Sequence, residues 1–153
     1  MEIIKIKKSE IYKIKPLWEG LNRQHLENSS NFKHHFELFT FEQRVELLSG
    51  KDQVVIYAAQ INSNLAGYCI ASIEHDTGEI DSIFIQEVYR GKGVGRKLMQ
   101  YALSWLETFE CRSINVAVAA GNESVLPFYE KIGFRERVRV LQLKKDECGE
   151  HNE

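Results

Sequence analysis

The stretch Ile83-Phe84-Ile85-Gln86-Glu87-Val88-Tyr89-Arg90-Gly91-Lys92-Gly93-Val94-Gly95-Arg96-Lys97-Leu98 decides how this chain is read. A strand ends, three glycines alternate with bulky residues, and a helix begins. From Gly95 on, Leu98, Ala102, Trp105 and Phe109 mark one helical face. Glycines allow a tight turn that presents backbone N–H groups to an anion, and the helix N-terminus adds its dipole. Arg90, Lys92, Arg96 and Lys97 bring positive charge to the same point, so the stretch reads as a pyrophosphate cradle. Its spacing excludes two familiar cradles. A P-loop counted from Gly91 would need its second glycine at Arg96, and no Ser or Thr follows. A dinucleotide fingerprint from Gly91 or Gly93 would need glycine at Arg96 or Leu98. What remains is Arg-x-x-Gly-x-Gly, carried by Arg90, Gly93 and Gly95.

Working outward, the spacing predicts a strand over Glu79–Ile85, entered by the turn Asp76-Thr77-Gly78. Before it lie strands Gln53–Ile61 and Leu65–Ile73, joined across Asn62-Ser63-Asn64. Residues 2–7 alternate as a strand. Ser9 can cap a helical stretch through Ile14, Leu17, Trp18 and Leu21, which Pro16 must either kink or restart. Residues 23–40 lack periodicity and read as a long irregular loop, and Phe41–Leu48 fits a short helix stopped by Gly50. Downstream come a strand over Ser113–Val118, a helix opened by Asn122 and ended by Gly133, and a final strand, Phe134–Leu143. The fold class is therefore α/β with a mixed sheet. The expected organisation is one domain over 1–143 and a mobile polar tail over 144–153.

Composition narrows the function. Lys and Arg number 20 against 22 Asp and Glu, a net charge of −2. No excess positive field exists to collect nucleic acid or a membrane surface. Three cysteines without a CxxC pair indicate neither a disulfide framework nor a zinc ribbon. The N-terminus alternates rather than forming an apolar core, and no stretch approaches a membrane span. A reducing, cytoplasmic setting is the expectation. His25, His34 and His35 lack metal-ligand spacing, and no metal is expected.

The glycine turn resembles the acyl-CoA-binding motif of the GNAT family, the Gcn5-related N-acetyltransferases. A second segment, Asn122-Glu123-Ser124-Val125-Leu126-Pro127-Phe128-Tyr129-Glu130-Lys131-Ile132-Gly133-Phe134, resembles that family's Asn…Tyr…Gly-Phe signature. Seven positions separate Asn122 from Tyr129, two helical turns, so the two are expected on one face. The resemblance is specific over roughly residues 65–135 and implies a GNAT-like, mostly antiparallel mixed sheet flanked by helices. It implies acetyl-CoA as co-substrate, held by Arg90, Gly91, Lys92, Gly93, Val94, Gly95 and Arg96. Backbone groups of Ile83, Phe84 and Ile85 would pair with the pantetheine arm where the strand parts from its neighbour, and one N–H could stabilise the oxyanion. Asn122 would hydrogen-bond the same arm, and Tyr129 would protonate the departing thiolate. A strand carboxylate would accept the amine's proton; the resemblance places Glu79 closest to that role, with Asp81 a neighbour that could share it.

The reading that follows is transfer of an acetyl group to a primary amine of a small molecule by direct attack in a ternary complex. A homodimer is compatible with it. Two rivals stay open: a protein Lys or N-terminal acetyltransferase, and a non-catalytic acyl-CoA sensor. The Phe- and His-rich stretch before Phe41 favours a closed pocket over a protein-sized groove, and the retained Tyr129 counts against a sensor.

Overall fold

A computed structural model describes residues 1–145. Five strands lie in sequential order: β1 (Glu2–Ile6), β2 (Gln53–Ile61), β3 (Asn64–Glu74), β4 (Thr77–Ile85) and β5 (Ser113–Val116). The first three pairings are antiparallel and β4–β5 is parallel, which gives the mixed sheet. The β2–β3 turn has positive φ at both Asn62 and Ser63, the geometry whose twist matches flanking strands.

Helix α1 (Lys15–Asn28) follows a 3-10 segment, Lys8–Ile14. Pro16 thus begins a new helix, where its missing N–H costs nothing. Ser9 lies inside the 3-10 segment and does not cap it. The loop expected over 23–40 is a misreading: α1 runs to Asn28 and α2 spans Lys33–Leu38. Asn22 Nδ2 donates to the Phe36 carbonyl at 2.8 Å, and Lys33 Nζ to the Leu26 carbonyl at 2.8 Å. Polar side chains satisfying backbone groups hold this region, so hydrophobic spacing could not reveal it. Helix α3 (Phe41–Ser49) opens on a capping box between Thr40 and Gln43. Thr40-Phe41-Glu42-Gln43 carried that signal in plain sequence.

The described chain forms two compact units. Met1–Leu21 with Thr40–Ala117 contains the sheet, α3 and α4 (Val94–Glu107). Asn22–Phe39 with the residues from Val118 on contains α2 and α5 (Leu126–Ile132). In the first unit α4 buries Val94, Leu98, Met99, Ala102 and Leu106. Burial of Val94, Leu98, Met99 and Leu106 contributes about 1.5–3 kcal/mol each. The helix stops at Glu107, and Trp105 and Phe109 meet edge to face across its end at 4.8 Å. A Cβ on Gly78 would meet Leu106 Cδ2 at 2.9 Å, so this face of β4 lies against α4. Phe41 is buried against Trp18 and Tyr12, both at 5.6 Å.

Two further expectations need correction. β5 ends at Val116, short of Val118. No strand forms over Phe134–Leu143, and residues 134–145 carry no regular structure. Period-two alternation is there, but a strand also needs a ladder partner, and none exists among the described residues. Val138, Val140, Leu141 and Leu143 are 61–93% exposed. Of the tail expected over 144–153, only Lys144 and Lys145 fall within the described residues.

Candidate active site

The cradle is built by one change of backbone hand. β4 ends at Ile85, and Gln86 pins the exit by donating its N–H to the Ala66 carbonyl at 2.9 Å and its Nε2 to that of Leu65 at 2.7 Å. A 3-10 turn over Glu87–Tyr89 leads to Gly91 and Gly93, at φ +76° and +82°. Open space surrounds the Cβ position of both, so glycine is required there by backbone conformation and not by crowding. Gly93 is the N-cap of α4 and offers no side chain to its first N–H groups. Gly95, Arg96 and Lys97 occupy the first turn, which contains no acidic residue. Cations at the positive end of a helix dipole repel it unless an anion lies between, and this end is arranged for one. Arg90 does not extend freely: its Nε donates to the Ile85 carbonyl at 2.8 Å, and its guanidinium lies over the Phe84 ring.

Beside the cradle the sheet opens. β4 and β5 pair only over Thr77–Ile80 against Ser113–Val116. Beyond Ile80, β4 keeps β3 as its only strand partner among the described residues, with Ile83, Phe84 and Ile85 opposite Cys69, Tyr68 and Gly67. On their β5 side these residues have no strand partner among the described residues, so that edge of the backbone can accept an extended ligand.

The two carboxylates differ sharply in setting. Glu79 Oε1 pairs with Lys51 Nζ at 3.3 Å, and Lys51 also reaches Glu74 at 3.5 Å. Asp81 is the extra residue of a β-bulge: Ile80 faces Ala71 and Ser82 faces Ile70, leaving Asp81 without an opposite number. Strict alternation therefore fails between Glu79 and Ser82, and the bulge re-aims the strand. Burial pushes the Asp81 carboxyl up to about 6, and Glu79 pushes the same way. The Ser72 hydroxyl, Lys51 and Arg44 oppose the rise. Sequence reading passed over these neighbours, together with the buried Tyr68 Oη···Ser82 Oγ contact of 2.6 Å. Single Ser, Lys and Arg residues in ordinary strands and helices carry no motif.

In the second unit Asn122 is buried and accepts at Oδ1 from Gln24 Nε2 at 3.3 Å. Its side chain makes no cap hydrogen bond, although it stands at the N-cap position. A 3-10 turn, Glu123–Val125, precedes α5, so Asn122 and Tyr129 do not share one continuous α-helix, as their spacing had implied. Tyr129 is buried, with its ring against Phe128 at 5.3 Å and Phe134 at 5.8 Å. Gly133 ends the helix with φ +126°. His35 stacks on Phe39 at 5.5 Å, and His25 lies 5.3 Å from Phe36. Among the described residues no group of three or more His, Cys, Asp or Glu could hold a metal ion, and no helix is long and apolar enough to cross a membrane.

Against known proteins, the model of the acetyltransferase (GNAT) family matches residues 16–134. An uncharacterised N-acetyltransferase of Methanocaldococcus jannaschii is 26% identical over 97 residues, 59% of this chain and 43% of that protein. YwnH of Bacillus subtilis, provisionally named a phosphinothricin acetyltransferase, is 34% identical over 110 residues, 65% of this chain and 66% of that protein. The match thus spans about half to two thirds of these relatives' lengths. Among solved structures, the aminoglycoside N-acetyltransferase AAC(6')-Iy in complex with CoA superposes with a TM-score of 0.66 at 20% identity, covering 95% of this chain and 99% of that one.

Proposed function

The chain belongs to the acetyltransferase (GNAT) family, and from that premise we propose that it transfers an acetyl group from acetyl-CoA to a primary amine of a small molecule, by direct attack in a ternary complex. The observation that carries this reading is the parting of β4 from β5 after Ile80, beside a left-handed glycine turn that opens α4. The strand edge over residues 83–85, which no strand pairs on its β5 side among the described residues, and the helix N-terminus at Gly93, which has no side-chain cap, both offer backbone groups. The strand edge suits an extended amide-bearing arm and the helix N-terminus the pyrophosphate at its end. Gly91, Lys92, Gly93, Val94, Gly95 and Arg96 would hold the phosphates, and Ile83, Phe84 and Ile85 the arm, with Asn122 as a further polar contact. Acetyl-CoA supplies the thioester; the protein binds, orients and moves protons.

Of the two strand carboxylates, Asp81 is the better proton acceptor. A base works best when its proton affinity lies close to the working pH, and burial has brought Asp81 toward that range. Glu79 is tied to Lys51 and acts on Asp81 through its charge. Tyr129 is the proposed donor to the leaving thiolate. The small-molecule acceptor is supported by the 34% identity to YwnH, whose name specifies such a substrate.

The test is direct. Acetyl-CoA and CoA should raise the melting temperature by linkage, and nicotinamide dinucleotides should do less. Free-thiol release across amino acids, polyamines, aminoglycosides and lysine peptides should then single out a small amine. Turnover confined to the peptides would move the acceptor to proteins, and no shift with CoA would remove the cradle.

A further inference from the structure

At the bulge in β4 two buried oxygen atoms, Ser72 Oγ on β3 and Asp81 Oδ2 on β4, lack a fully formed hydrogen bond, although the Ser72 hydroxyl lies close enough to act on the Asp81 carboxyl. Ser72 is fully buried in a run of buried residues, Ala66 to Ile73. Its register partner is Glu79, so its side chain leaves β3 on the face from which Glu79 leaves β4. A desolvated hydroxyl with no partner costs free energy, and alanine would pack as well. A serine there calls for an acceptor, and the neighbouring oxygen that lacks a donor is the Asp81 carboxyl.

We propose that Ser72 is a positioning residue for Asp81: its hydroxyl donates a hydrogen bond to Oδ2 once the carboxyl is ionised, which holds the base charged near neutral pH and fixes which oxygen is left for the amine. This inference rests on the role given above to Asp81. The bond is strongest in the charged state, since a carboxylate is a far better acceptor than a neutral carboxyl. Three other groups act on Asp81, Glu79 on its own strand, Lys51 before β2 and Arg44 on α3, while the Asp81 charge in turn acts on the Cys69 thiol of β3. Glu79 raises the proton affinity and the two cations lower it. Ser72 is the one neutral group among them that lowers it, and its contribution is therefore insensitive to salt, unlike theirs.

The experiment is a carbon-13 carboxyl NMR titration of Asp81 in the full-length, ligand-free protein, so that it needs no knowledge of the acceptor. Ser72→Ala should raise the midpoint by about one pH unit, a tenfold change in proton affinity, at low and at high salt alike. Ser72→Thr, which keeps the hydroxyl, should bring the midpoint back to within a few tenths. Ser72→Cys, a weaker donor of similar size, should fall between them and serves if the alanine variant does not fold. In turnover assays the acid limb of the pH–rate profile should move with the NMR midpoint while KM for acetyl-CoA stays unchanged. An unmoved midpoint in Ser72→Ala overturns the proposal even if Asp81→Asn abolishes the acid limb, which would leave Asp81 as the base. If Asp81→Asn retains the limb, the base lies elsewhere and the proposal falls with that reading.

Discussion

A carboxyl set into a bulge between Glu79 and Ser82 loses water without gaining a full set of donors, which is why burial leads the causes that push Asp81 up to about 6. A base must be ionised to act, so turnover should fall as pH drops through that value. Glu79 raises the proton affinity of Asp81, and removing its charge must do the reverse. Glu79→Gln should therefore shift the acid limb to lower pH and leave high-pH turnover close to the parent. If Glu79 were itself the acceptor, the same variant would lose turnover at neutral pH and regain it only where the amine is neutral. A pH–rate profile of thiol release separates the two. Tyr129 calls for a different signature. Tyr129→Phe keeps the ring contacts with Phe128 and Phe134, so binding of acetyl-CoA should hold while kcat falls by roughly 10²–10⁴-fold, the usual worth of a general acid. Full turnover would make the tyrosine a packed aromatic only.

At the scale of elements, two glycines serve opposite needs. Gly93 has open space around it but a left-handed φ of +82°, whereas Gly67 has a Cβ position only 2.6 Å from Ile85 Cδ1 and 2.7 Å from the Phe84 carbonyl oxygen. Gly93→Ala should cost about 1–2 kcal/mol of stability from backbone conformation alone, and should weaken CoA binding further by turning the N–H groups that open α4. Gly67→Ala should cost about 1–3 kcal/mol through overpacking of the β3–β4 pair. Denaturant melts with and without CoA distinguish them, because the Gly93 variant should lose more of the ligand's stabilisation than the Gly67 variant. The Gly93 turn was legible because it needs particular residue types in a fixed order. The meander β2–β3–β4 was legible for the same reason, with its turn residues and alternation in place. Gly67 was not, since its requirement comes from the facing strand. α2 has only six residues, too few for a period to register. The bulge at Asp81 belongs to a register between two strands, which neither strand's sequence displays. Residues 134–143 show the converse, an alternation that pairs with no strand among the described residues.

For the whole molecule, a buried Asp81 carboxylate works against stability. Its proton affinity rises from the ordinary 3.8 to about 6 on folding, so between these values the folded protein binds more protons than the unfolded one. Stability then increases as pH falls through this window, and at pH 8 the ionised, poorly solvated carboxylate is a cost to the fold. A shift of about two units corresponds to on the order of 2–3 kcal/mol. Asp81→Asn removes the charge and keeps the shape, so the variant should be more stable than the parent at pH 8 by up to that amount. Each kcal/mol is worth roughly 2–4 °C in a chain near this size. The advantage should shrink as pH falls toward 5 and vanish below about 4, where the parent carboxyl is protonated in both states. Comparing parent and variant at each pH cancels the other carboxylates, including Glu42 and Glu123, whose proton affinities are lowered by folding and which act with opposite sign. Thermal melts of both proteins from pH 4 to 8 measure the difference. A variant that gains stability and loses turnover together would show that this fold holds its base at the expense of its own stability. A variant no more stable than the parent at pH 8 would mean that Lys51 and Arg44 already compensate the buried charge in full, and that Asp81 is a structural ion rather than a poised base.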